Sequence, residues 1–234
     1  MNSEKVSVII PAFNAAETLA EAVASAVNGS YQHLEILIVD DGSTDDTSKV
    51  AAKIAESDPR IQFFRNPQNY GVSKSRNLMI DRATGEYVAF LDSDDTWEPN
   101  KLEFCLQMLA ENPEVKAVAH ALRYLDKHGK KLSYIATYPT TKAQMQAIKV
   151  TGESPWVFPS SVVVDRTILV KEGGFAEDWL VGEDTELFTK IAQKYGLLAA
   201  TDPLGNYRIR ANSLTDKYWL KKRIASDCVK ENQL

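Results

Sequence analysis

Three acidic clusters in this chain have the composition to bind donors or cations. Asp92-Ser93-Asp94-Asp95 follows the apolar run Tyr87 to Leu91, and Asp40-Asp41-Gly42-Ser43 follows Glu35 to Val39. Gly182-Glu183-Asp184 opens a helical pattern. Carboxylates gathered at one place repel unless a cation or a hydrogen-bond donor compensates them. A divalent metal holding a diphosphate would satisfy one cluster, and ring N–H groups and sugar hydroxyls the other. Hard oxygen ligands of this kind suit Mg²⁺ or Mn²⁺. A carboxylate such as Glu183 or Asp184 could serve as a general base toward a hydroxyl.

Each cluster also has a plainer reading. Asp, Gly and Ser are what a strand-to-helix turn prefers, which explains Gly42, Ser43 and one of the two aspartates. Acids are favoured in a helix's first turn, which would account for Glu183 and Asp184. An EF-hand count from Asp92 reaches Glu103 at position twelve. Position six is then Trp97 where glycine is required, and a buried-type strand leads in, so that reading fails. Gly71-Val72-Ser73-Lys74-Ser75-Arg76-Asn77 opens a helix and matches neither GxGxxG nor GxxxxGK[ST]. Arg76 is either solvated or a cation facing a base or phosphate.

The elements that must carry these residues alternate. Val6 to Ile10, Glu35 to Val39, Ile61 to Phe64 and Tyr87 to Leu91 are strand-like apolar runs. Glu17 to Val27 is amphipathic, Ser43 and Asp46 make a capping-box-like start for a second helix, and Val72 to Ile80 is a third. That order predicts right-handed βαβ units and a mainly parallel sheet flanked by helices. Beyond residue 96 the rhythm loosens. The pattern predicts a helix from Pro99 to Glu111, a strand Ala117 to Leu125, a turn at Asp126-Lys127-His128-Gly129 and a hairpin reaching Tyr134. Further on it predicts a short helix Thr141 to Val150, a strand Ser160 to Val164, a helix Asp184 to Tyr195, a short strand Tyr207 to Arg210 and a last helix Tyr218 to Val229. No linker or repeat divides residues 1–234, so one domain is expected, with the second half an irregular extension of the first half's sheet.

The 234 residues are 44% hydrophobic and 25% charged, a globular composition that excludes general disorder. A net charge of -5 argues against a nucleic-acid binder. Cys105 and Cys228 fit no CxxC spacing and read as reduced thiols. The apolar run near the N-terminus is too short for a signal peptide, and no run approaches the ~18 residues of a membrane span. A cytoplasmic protein is expected. Lys217-Tyr218-Trp219-Leu220-Lys221-Lys222-Arg223 joins aromatic and basic residues; a packed helix with a solvated basic face explains it, as would weak peripheral contact with the inner face of an anionic membrane.

Taken together, VSVIIPAFNAAETL, EILIVDDGSTDDT, NYGVSKSRNLMIDRATGEYVAFLDSDD, GGFAEDWLVGEDTELFTKIA and YRIRANSLT resemble the family 2 glycosyltransferases, over Val6 to about Ser213. The resemblance implies the GT-A fold and an inverting transfer from a nucleoside diphosphate sugar, with a UDP-sugar favoured, to a glycan or lipid-linked acceptor in cell-surface polysaccharide synthesis. It implies a donor half in residues 1–96 and an acceptor half in residues 97–234. It places Pro11, Ala12, Phe13 and Asn14 along the base and ribose, Asp41 on the base, and Arg76 near the base or diphosphate. Asp92, Ser93 and Asp94 form the D-x-D, with the metal on Asp94. Asp184 becomes the catalytic base, with Glu183 beside it. Members often carry a metal-reaching His where this chain has Arg210, which can hold a diphosphate but cannot ligate a metal. The QxxRW motif of processive synthases is absent. A nucleotidyltransferase would need a Gly-rich basic loop after the first strand, which Pro11 to Asn14 does not supply. A binding-only module would not need Asp184.

A carboxylate is an acceptor only, so Asp41 should pair with the N3–H of a pyrimidine. Uracil and thymine nucleotides are expected to bind better than CDP, whose N3 carries no proton. Equal or tighter CDP binding by calorimetry would contradict that assignment.

Overall fold

The computed structural model describes residues 4–136, 157–179 and 182–209. The expected helices Thr141 to Val150 and Tyr218 to Val229, the stretch Lys217 to Arg223, Arg210 and Cys228 lie outside the described residues. In chain order the elements are β1 (Val6–Ala12), α1 (Leu19–Val27), β2 (Leu34–Asp40), α2 (Thr47–Ser57), β3 (Ile61–Arg65), α3 (Val72–Arg82) and β4 (Tyr87–Phe90). Then come β5 (Thr96–Trp97), α4 (Lys101–Glu111), β6 (Ala117–Leu125), β7 (Lys131–Ala136), a 3-10 turn (Pro159–Ser161), β8 (Val163–Asp165), α5 (Arg166–Glu172), α6 (Glu183–Tyr195) and β9 (Leu197–Arg208).

The described strands form one sheet in the order β3-β2-β1-β4-β8-β6-β9-β5, with β7 paired to β6. Strands β1 to β4 are parallel, and every residue of β1 and β2 is buried, as continuous apolar runs require. Strand β8 runs antiparallel to β4, β6 antiparallel to β8, and β9 parallel to β6. Strands β1, β2, β4, β6 and β9 therefore all point their carboxyl ends at one edge of the sheet. At the opposite end Glu35 ties the frame together: its carboxylate accepts from Ser7 Oγ at 2.6 Å, Thr84 N at 2.7 Å and Lys5 Nζ at 2.9 Å.

Four local expectations change. Ser43 and Asp46 form no capping box: α2 starts at Thr47 and Asp46 makes no side-chain cap bond. Asp45 takes that role, accepting from Thr47 N at 3.0 Å, while Ser43 Oγ accepts from Asn14 N at 2.9 Å. Ser160 and Ser161 sit in a 3-10 turn led by Pro159, so β8 begins only at Val163. Helix α5 has no counterpart in the sequence reading, because it is seven residues long and rich in β-branched side chains. Its ends were legible: Asp165 caps Thr167 N, and Gly173 closes it at φ 84°. Strand β9 runs twelve residues rather than a short stretch at Tyr207, since Thr201-Asp202-Pro203-Leu204-Gly205 reads as a turn. In the sheet those residues become register shifts against His120 to Leu122.

Gly42 has a φ of 71°, and a Cβ there would lie 2.4 Å from the carbonyl carbon of Gln68 and 2.7 Å from the amide of Asn69. Gly42→Ala is expected to cost about 1–3 kcal/mol, the scale of a left-handed strained residue, and to displace the 66–71 loop. Urea unfolding measures it; an unchanged midpoint would refute the close approach.

Candidate active site

Strand β1 ends in buried Pro11 and Ala12, then Phe13, which is 44% exposed. Asn14 adopts a φ of 49°, a left-handed conformation that Asn tolerates. It sews two strand ends together: its N–H donates to Ser43 Oγ, and its Oδ1 accepts from Thr44 N at 3.0 Å.

The adjacent carboxylates after β2 have different partners. Asp40 is fully buried and accepts from Ser43 N at 2.9 Å and from the Ser48 hydroxyl, so it fixes the strand-to-helix turn. Asp41 reaches across to the loop before α3. Its Oδ1 accepts from Asn66 Nδ2 at 2.8 Å and Tyr70 N at 2.9 Å, and its Oδ2 from Gly71 N at 2.8 Å. One lone-pair direction of Oδ2 is left by these contacts. Tyr70, 37% exposed with Lys74 Nζ 4.6 Å from its ring centroid, stands beside it. Sequence reasoning passed over Tyr70; an exposed aromatic in a Gly-ended loop after a strand was the available signal.

Arg76, one turn into α3, is buried with only 3% exposure. Its Nη2 donates to Asp92 Oδ1 at 2.7 Å and its Nη1 to Glu183 Oε1 at 3.2 Å, and the guanidinium lies 5.0 Å from the Phe175 ring centroid. Burial alone would lower its pKa, but the charges of Asp92 and Glu183 hold it above the usual arginine value. Its Nε is buried with no hydrogen-bond partner among the described residues. The arginine thus brings together the end of β4 and the start of α6.

At that start, Gly182 takes a φ of 90°, and Glu183 and Asp184 follow in the first turn. Asp184 Oδ1 accepts from Thr185 N at 2.6 Å. Burial first, and the Glu183 charge second, push its carboxyl up to about 6, against the pull of Arg76.

Two residues absent from the expected set hold the Asp92–Asp95 loop. Ser160 Oγ accepts from Asp92 N at 3.0 Å and donates to Asp95 Oδ2 at 2.6 Å, while its carbonyl accepts from Trp97 Nε1 at 2.8 Å. Arg208 donates from its backbone N to Asp95 Oδ1 at 3.0 Å, from Nε to the Asp94 carbonyl at 3.0 Å, and from Nη2 to Glu21 Oε2 at 2.7 Å. Asp95 is thereby a structural carboxylate, and burial with the charges of Asp94 and Asp92 drives its pKa well above normal. Ser93 is also buried. The motif YRIRANSLT that singled out Arg210 contained Arg208 two residues earlier.

Among the described residues no three His, Cys, Asp or Glu side chains group as metal ligands. The donor set suits a metal of the Mg²⁺ kind, which keeps waters and takes one or two carboxylates plus substrate phosphates. Asp92 already carries Arg76.

A family model described as glycosyl transferase family 2 matches residues 7–169. An uncharacterised glycosyltransferase of Rickettsia bellii is 33% identical over 92% of this chain and 30% of its own length. A putative teichuronic acid biosynthesis glycosyltransferase of Bacillus subtilis is 42% identical over 45% of this chain and 42% of its own. Among solved structures, S. aureus TarS 1–349 with UDP-GlcNAc matches 92% of this chain and 62% of that one, at a TM-score of 0.72 and 22% identity. A mannosyltransferase from Pyrobaculum calidifontis with GDP-Man and Mn²⁺ matches 90% and 58%, at a TM-score of 0.70 and 23% identity. Both are GT-A structures and bear out the expected fold class. The chain spans about a third of the length of the first curated relatives it matches.

Ser160→Ala would leave Asp95 with one donor in a buried setting. It is expected to lower unfolding stability by about 1–3 kcal/mol in urea titration, while Ser160→Thr, which keeps the hydroxyl, loses less. Equal losses for both variants would remove the hydroxyl from the account.

Proposed function

The chain belongs to glycosyl transferase family 2, and on that premise we propose that it is an inverting glycosyltransferase. It takes a sugar from a nucleoside diphosphate donor, UDP-linked in our reading, and delivers it to a hydroxyl of a glycan or lipid-linked acceptor of cell-surface polysaccharide synthesis. The observation that carries this reading is the Arg76 bridge at 2.7 Å and 3.2 Å to Asp92 and Glu183, which sets Asp184 beside the D-x-D. The matched structures named with UDP-GlcNAc and with GDP-Man and Mn²⁺ support a nucleotide-sugar donor. The relative named for teichuronic acid biosynthesis supports a polysaccharide product.

In this reading residues 1–234 act as one domain. Residues 1–96 hold the donor: the Phe13 and Tyr70 rings flank the base, Asp41 Oδ2 accepts from it, and Pro11, Ala12 and Asn14 shape the floor. Residues 97–234 are assigned to the acceptor, and Arg210 to the diphosphate. Asp94 would hold a Mn²⁺ or Mg²⁺ ion, which when bound would supply charge neutralisation to the diphosphate. Asp184 takes the proton of the acceptor hydroxyl. The hydroxyl oxygen then bonds the anomeric carbon as the bond to the diphosphate breaks on the opposite face. One base and no second carboxylate nucleophile fits inversion. Glu183 is the weaker candidate for base because its carboxylate is committed to Arg76. No helix among the described residues is long and apolar enough to cross a membrane. We propose a cytoplasmic location, in which the basic Lys217 to Arg223 stretch is either a solvated face or a weak contact with the inner membrane face.

Incubation with UDP-sugars and Mn²⁺ should release UDP, slowly without acceptor. Asp184→Asn should keep UDP binding and lose transfer by about a hundredfold or more. Wild-type transfer should fall as pH drops through about 6, where Asp184 gains its proton. The folded state holds that proton more tightly than the unfolded chain. Ionising it therefore costs stability as pH rises from about 4 to about 6, and Asp184→Asn should flatten that slope. Transfer surviving within a few-fold would move the base elsewhere.

A further inference from the structure

A cavity of about 510 Å³ opens at the same sheet edge, within the ~300–1,000 Å³ range of small-molecule sites. Its lining shares Asn14 with the donor residues assigned above and does not include Phe13, Asp41, Arg76, Asp92 or Asp184. One wall carries Asn14, Glu17 and Asp45, from the ends of β1 and β2; the other carries Lys127 and His128 of the β6–β7 turn and Arg208 at the end of β9. We propose that this cavity is a subsite for a sugar bearing an anionic group, carboxylate or phosphate, on the acceptor. The proposal rests on the transferase reading above.

Arg208 is the built element of the basic wall. It is 6% exposed, and its Nε and Nη2 are fixed on the Asp94 carbonyl and Glu21. Its Nη1 has no hydrogen bond among the described residues and comes within 2.9 Å of where a Cβ at Gly129 would stand. The glycine, at φ 82°, leaves that nitrogen room. A guanidinium fixed at two nitrogens with a third open is pre-organised for an anionic oxygen. Lys127 forms no ion pair among the described residues and adds a second cation.

The opposite wall carries Glu17 and Asp45, so the charge of the cavity is mixed and the anion is met on the basic side by Arg208 Nη1 and Lys127. Asp45 is committed to Thr47 and Ala16 N, and Glu21 to Arg208. Glu17 stands exposed. A free carboxylate beside an Asn side chain is an acceptor surface for sugar hydroxyls. No Phe, Tyr or Trp lines the cavity, and His128 supplies its one ring among the described residues. Arg208 links the two sites, because its Nε rests on the carbonyl of Asp94. A sugar held here would lie one residue's contact from the donor metal's proposed ligand.

The test titrates the full chain by calorimetry and NMR with methyl glucuronide, methyl phosphate and methyl glucoside. Either anionic probe should bind roughly tenfold tighter than the glucoside, the scale of one charge-assisted contact. Glucuronide preference identifies a uronic acid, methyl phosphate preference a sugar phosphate. Lys127→Gln should erode that preference and Lys127→Glu abolish it, with circular dichroism confirming the fold of each. Saturating UDP should not displace the probe. Equal binding of the three probes, a preference unaffected by Lys127→Glu, or displacement by UDP would each overturn the proposal. The titration needs no turnover, so absent UDP release would defeat the transferase reading while leaving the binding result legible.

Discussion

The site depends on the cost of gathering carboxylates at a partly dry sheet edge. Asp92, Glu183 and Asp184 converge from two elements far apart in sequence, and Arg76 supplies the compensating charge. Removing that cation would leave partly buried acids unpaired, which is costlier than never assembling them. Arg76 explains why α3 must pack where its first turn meets the end of β4 and the start of α6. Glu183 has the guanidinium, whereas Asp184 has burial and an acidic neighbour, and its carboxyl rises to about 6.

A second buried cation shows what happens without such compensation. Lys101 is 1% exposed, and its Nζ finds no hydrogen bond among the described residues, only the Trp97 ring face at 3.7 Å. Burial drags its pKa down to about 8 and, with the Lys101 charge, takes His120 down to about 3. An aromatic face compensates a cation less fully than two carboxylates do. The same rule sorts the aspartates. Asp40, Asp41 and Asp95 are met by backbone, hydroxyl, amide and, at Asp40, guanidinium groups and hold loops, whereas burial raises the carboxyl of Asp184.

Loop fixation recurs around the edge. Ser160 and Arg208 clamp the Asp92–Asp95 loop from opposite sides, and Asp41 clamps the 66–71 loop. Each clamp ties its loop to an element elsewhere in the chain, and the Asp92–Asp95 loop is held by Ser160 and Arg208 from the second half of the sheet. Pre-organisation of this kind spares a transferase from ordering its own groups on each encounter.

The sequence by itself determined the strand–helix alternation, the parallel core and the residues at its carboxyl edge. Those depend on local periodicity and on which residues follow each apolar run, and both survive tertiary context. Ala117 to Leu125 was read to the residue for the same reason. Only the tertiary structure decided what the acids do. Asp40 and Asp41 are neighbours of one residue type, yet one fixes its own turn and the other a loop thirty residues away. Nothing local separates them, because their partners come from elsewhere in the chain. Strand β9 was hidden by Asp202-Pro203 and Gly205, turn signals that sheet pairing overrode through register shifts. Ser160 and Arg208 were invisible as clamps, since a serine after a proline and an arginine in a strand carry no mark of the distant carboxylate each one meets.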